Sequence, residues 1–104
     1  MASFETCEEF TSRYGYTPQE YLVKVVLGLI HVNPARYDVE GIDPSERAQG
    51  IAGDETRKKA ALAFVDGTLP FENLLPYMGP VSGDIVHLCA WDEAEIKAAV
   101  AARA

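Results

Sequence analysis

Three segments of this chain begin a helix by the same chemistry, and together they constrain the fold more than any other feature. Thr17-Pro18-Gln19-Glu20 places a capping hydroxyl, a proline at the first helical position and a glutamate two residues later. Asp43-Pro44-Ser45-Glu46 repeats the arrangement with a carboxylate cap, and Asp92-Glu93-Ala94-Glu95 repeats it without the proline. In each case the cap oxygen satisfies a free N–H of the first turn, and the acid at the third position can bond back to the cap.

The charges follow a helical period. Six of the nine basic residues have an acid four positions earlier: Glu9–Arg13, Glu20–Lys24, Asp43–Arg47, Asp54–Lys58, Glu55–Lys59 and Glu93–Lys97. On a helix such pairs face each other in the more favourable acid-first order, and each is worth about 0.2–0.5 kcal/mol. They mark helix and leave few basic groups without a neighbouring acid.

These signals predict helices over residues 3–14, 18–32, 44–66, 70–75 and 92–103. Phe4, Cys7, Phe10 and Tyr14 form one stripe of the first, which Gly15 ends. The second is apolar nearly all round, as a buried central helix would be. Gly50 and Gly53 mark where the third would break, since glycine costs about 1 kcal/mol against alanine inside a helix. Residues 78–83 read as a loop. Residues 85–90 are ambiguous; without an evident partner strand they are read as a helical turn leading into the last helix. The expected fold is an all-α, compact bundle of four to five helices with an apolar central helix.

Length and composition bound the rest. A chain of 104 residues suits a single domain spanning 1–104, long enough to bury a core without a disulfide or metal. At 48% hydrophobic residues it is not a disordered chain, despite a net charge of −7. That charge, spread evenly along the sequence, reads first as solubility and disfavours phosphate-rich nucleic acid and anionic membrane surfaces. The apolar run 21–32 is too short to span a bilayer and carries Lys24. Residues 1–5 lack the basic and apolar regions of a signal peptide. A cytoplasmic protein with Cys7 and Cys89 as free thiols is the expectation.

No catalytic set or cofactor loop is assembled in the sequence, so no enzyme, cofactor or metal is expected. Gly79-Pro80-Val81-Ser82-Gly83 misses the spacing of a nucleophile elbow by one residue. Cys7, His31, His87 and Cys89 are zinc-ligand types, but only His87 and Cys89 are local to each other. A small metal- or thiol-dependent protein built on these four residues is an alternative reading, as is a homo-oligomeric structural subunit. Arg57-Lys58-Lys59 is the only basic cluster, and Ala63 and Gly67 have the spacing of a helix-turn-helix. The segment after them is short, acidic at Glu72 and without a base-reading Arg or Lys.

The strongest lead is an apolar stretch bracketed by prolines, Leu69-Pro70-Phe71-Glu72-Asn73-Leu74-Leu75-Pro76-Tyr77-Met78, followed shortly by the sole tryptophan, Trp91. Such residues either close the domain's own core or present an interface, where aromatic and Met side chains are enriched. Phe71, Leu74, Leu75, Tyr77, Met78 and Trp91 are therefore the candidate partner-binding residues. The function expected is that of a small acidic adaptor, inhibitor or accessory subunit, of a composition that suits a bacterial or phage source, docking on a larger protein.

Overall fold

The computed structural model describes residues 6–104, which form six α-helices and two 3₁₀ turns, with no strand among them. Helices α1 (Cys7–Tyr14), α2 (Pro18–Ile30) and α3 (Pro44–Asp66) precede the one-turn α4 (Phe71–Leu74), α5 (Pro80–Leu88) and α6 (Glu93–Arg103). The 3₁₀ turns are Pro34–Tyr37 and Leu75–Tyr77. No helix among the described residues is long and apolar enough to cross a membrane.

The three caps form. Thr17 accepts from the Glu20 amide, Asp43 from Ser45, and Asp92 from Glu95. The reciprocal acid-to-cap bonds do not form, and at two of the three starts the acid has a partner at a distance. Glu20 takes the Arg103 guanidinium at the far end of α6, and Glu95 accepts from the Gln19 side-chain amide at 2.7 Å. Gln19 in turn accepts from the backbone amide of Asp92 at 2.7 Å, so the starts of α2 and α6 are tied together through one side chain.

Helix α2 packs against α1, α3, α5 and α6. It buries Leu22, Val23, Val26 and Ile30 at helical spacing, while Tyr21, Val25, Leu27 and Leu29 are half-buried against the same core. Phe64 from α3, Ile85 from α5, and Ile96 and Val100 from α6 complete the interior. Burying each such side chain is worth roughly 1.5–3 kcal/mol. Near α1, Phe10 is fully buried, tilted against Tyr14 at 4.5 Å and edge-to-face with Tyr21 at 5.4 Å between centroids. The expected start of the first helix at residue 3, and Phe4 with it, lie outside the described residues.

Three expectations are corrected. Helix α3 runs unbroken through Gly50 and Gly53, and at Gly50 the Tyr37 ring comes closer than a side chain would allow (below). The loop expected at 78–83 gives way to the start of α5, which makes the helix count six. Gly79 turns the chain at φ 90°, and Pro80 opens the helix where its missing N–H is harmless. Ser82, fully buried, satisfies its hydroxyl by donating to the Met78 carbonyl at 3.1 Å.

The third correction concerns sulfur. Cys7 at the start of α1 and Cys89 just after α5 are not free thiols but form a disulfide, with Cα atoms 5.8 Å apart. Their sequence separation of 82 residues hid this, since nothing local relates them. Disulfides are rare where glutathione keeps thiols reduced, so the bond removes the premise of a reduced chain on which that expectation rested.

Candidate functional site

The proline-bracketed stretch is divided by the fold. Phe71, Leu74 and Met78 are in the core, at 1%, 0% and 6% exposure, and are not available to a partner. Phe71 sits between the rings of Phe64 and Trp91, at 5.5 and 4.9 Å. Trp91 is half-buried there and donates its indole N–H to the Val86 carbonyl at 3.3 Å. Leu75 is also half-buried against the core, whereas Tyr77 is exposed. Helix α4 has no side-chain cap of its own; Glu93 of α6 supplies one by accepting from the Phe71 amide at 2.6 Å.

What the stretch leaves at the surface is a groove. Leu69, Asn73, Pro76 and Tyr77 form one wall, and Ala60 and Ala63 of α3 provide small side chains opposite. Lys59 and Glu72 add one charge of each sign, and the volume is about 610 Å³. The alternation is a matter of period. In a one-turn helix followed by a 3₁₀ turn, residues three or four apart share a face, so 71, 74 and 78 point inward together.

Tyr77 also borders a second, smaller cleft of about 220 Å³, lined by Leu29 of α2, by Val32 just beyond that helix, and by Arg36, Asp54 and Arg57. Asp54 is 4% exposed, and its Oδ1 accepts from Arg36 Nη2 at 2.6 Å and from Arg57 Nη1 at 3.1 Å. Its Oδ2 is buried and has no hydrogen-bond partner. Leaving such an atom unsatisfied costs about 1–3 kcal/mol, and more when the group is charged. Arg36 lies over the Tyr37 ring at 4.9 Å and donates to the Tyr37 hydroxyl at 2.7 Å. That hydrogen bond is the largest influence raising the Arg36 pKa above its ordinary value; burial opposes it and the Asp54 charge reinforces it.

Two glycines make this arrangement fit. A Cβ on Gly50 would stand 2.4 Å from Tyr37 Cε1, and one on Gly53 would stand 3.2 Å from Arg57 Nη1. Sequence reasoning passed over the cluster because it paired Asp54 with Lys58. The available signals were the three-residue step from Asp54 to Arg57 and two glycines one helical turn apart in a helix that does not break.

The zinc-type residues do not converge. Cys7 and Cys89 are bonded to each other, His31 is the exposed C-cap of α2, and His87 is exposed in the last turn of α5. Among the described residues no three His, Cys, Asp or Glu side chains are grouped to hold a metal ion. Comparison with protein-family models, curated proteins and solved structures gave no significant match.

Proposed function

We propose that the chain is a small, non-enzymatic interaction protein, an adaptor, inhibitor or accessory subunit, that docks on a larger protein through the groove between α3 and residues 69–77. One observation carries this reading: the stretch is anchored by its buried residues while Leu69, Pro76 and Tyr77 remain free to line the groove. A preformed wall of this kind spends little ordering entropy when a partner arrives. Tyr77 supplies the aromatic anchor typical of interface centres.

The occupant is a partner segment that offers an apolar side chain flanked by basic residues. The chain's net charge of −7 favours such a partner on approach, and among the described residues Glu72 at the groove is held by no ion pair. Capture from the native source with the unaltered chain and with Tyr77→Asp, compared by quantitative mass spectrometry, tests the reading. A protein depleted about tenfold or more by the substitution is the expected partner. Identical recovery with both baits, or a partner that proves to be a second copy of the chain, defeats the proposal.

A further inference from the structure

The groove and the smaller cleft adjoin along α3. Arg57, Ala60 and Ala63 follow one another at three-residue steps and share one side of that helix; Arg57 lines the cleft, the two alanines line the groove, and Tyr77 borders both. From Arg57 to Ala63 the helix rises about 9 Å, at about 1.5 Å per residue, a span that about three residues of extended chain cover. The two clefts differ in charge. Lys59 and Glu72 give the groove one charge of each sign, whereas Arg36 and Arg57 share one oxygen of Asp54 and leave the cleft one positive charge in excess.

The half-exposed guanidinium groups are also incompletely used. Arg57 reaches Asp54 through Nη1; its Nε and Nη2, the paired N–H edge, make no hydrogen bond among the described residues. Such an edge takes a carboxylate in two-pronged fashion. On the α2 side, Gly28 meets the cleft with its backbone, and a Cβ there would touch nothing within 4 Å. No neighbour in the described chain therefore calls for glycine, which weakens a helix relative to alanine. A partner lying against the helix backbone at this point accounts for it.

We propose that the cleft receives an acidic side chain, Asp or Glu, of the same partner segment whose apolar residue occupies the groove. The inference rests on the docking reading and extends it from one cleft to two. The partner's carboxylate takes the free edge of Arg57 beside Arg36 and neutralises the residual charge, while its backbone passes Gly28. Asp54 is a positioning residue that holds both guanidinium groups at the cleft. The segment is thus read as an apolar residue with its basic flank at the groove and, about three residues away, a carboxylate at Arg57.

The probe is a library of random peptides displayed on phage, selected in parallel on the unaltered chain and on Tyr77→Asp. Enriched peptides are expected to carry an apolar residue with Asp or Glu about two to four residues away, and to be lost on Tyr77→Asp. The affinity of one such peptide, and of the same peptide with its acid replaced by the amide, is then measured by fluorescence anisotropy. The amide is expected to bind about tenfold more weakly to the unaltered chain, and as well as the acid to Arg57→Gln. Gly28→Glu leaves both arginines in place and adds its side chain where a Cβ meets nothing, so it is expected to fold. By setting a carboxylate of its own at the cleft, it too is expected to erase the difference. Peptides that depend on Tyr77 but carry no acid, or an acid whose amide costs as much on either folded variant as on the unaltered chain, overturn this inference and leave the docking reading standing. No enrichment, or enrichment indifferent to Tyr77→Asp, removes the docking reading and this inference with it.

Discussion

Gly50 lies directly beneath the ring of Tyr37, so close that a Cβ would stand 2.4 Å from Tyr37 Cε1. This contact gives a reason for glycine at position 50 of the helix, and it separates Gly50 from Gly28 in α2, whose Cβ would meet nothing within 4 Å. Gly28→Ala is expected to raise stability by about 0.5–1 kcal/mol. Gly50→Ala gains the same propensity but must displace the Tyr37 ring, at about 1–3 kcal/mol for overpacking, so it is expected to be neutral or destabilising. Urea denaturation of the two variants reads the difference in sign.

The ion cluster around Asp54 is asymmetric. The Asp54 side chain is 5% exposed, whereas those of Arg36 and Arg57 are 54% and 43% exposed. Removing the acid leaves two cations that reach water; removing both cations leaves a buried acid alone. The double variant Arg36→Gln/Arg57→Gln is therefore expected to lose about 3 kcal/mol or more, and Asp54→Asn less, about 1–2 kcal/mol. Equal losses in urea titrations would show that Asp54 is not the desolvated member.

The disulfide closes nearly the whole described chain. In the chain-entropy account a loop of this size contributes about 4–5 kcal/mol, a large share of the stability of a domain this small. Thiol titration of the unreduced, denatured protein is expected to find no free sulfhydryl. Cys7→Ser/Cys89→Ser is expected to lower the urea midpoint strongly without changing the helical spectrum of the folded state. Two titratable thiols in freshly isolated protein would show that the expectation of a reduced chain was right after all.

Glu20 and Arg103 join the first turn of α2 to the last turn of α6. The hydrogen bond from Arg103 is the main reason the Glu20 carboxyl lies below its ordinary value of 4.5. A carboxylate with a depressed folded-state pKa contributes its full stabilisation above the unfolded value and loses it as pH falls through the folded one. Glu20→Gln is therefore expected to be less stable than the unaltered chain at pH 7, with the gap closing as the pH is taken down from 4.5. A gap that persists unchanged at acid pH would assign the effect to packing instead.

The caps at Thr17, Asp43 and Asp92 were legible because capping is local chemistry, settled within four residues. The charge pairs were legible as markers of helix but not as contacts. Glu9–Arg13 is formed at 3.0 Å, whereas Arg47 turns to Asp38, Glu20 to Arg103, and Glu93 to the Phe71 amide. Helical spacing brings two charges within reach, but tertiary folding offers other partners, and a pair worth a few tenths of a kcal/mol does not hold against them. The disulfide and the Arg36–Asp54–Arg57 cluster depend on distant segments meeting, which no local pattern encodes. The apolar stretch at 69–78 stands out in the sequence by composition; which of its residues face inward depends on the turn at 75–77 and on Phe64 and Trp91 flanking Phe71.

The claim that the exposed side of this stretch faces a partner is tested most directly by a photo-reactive residue at position 77, introduced in cells of the native source. Val39, 60% exposed and lining neither cleft, is the comparison position. The account predicts one predominant cross-linked product with a different, larger protein from position 77 and none of it from position 39. Equal products from both positions, no product from position 77, or a product containing only this chain would contradict it.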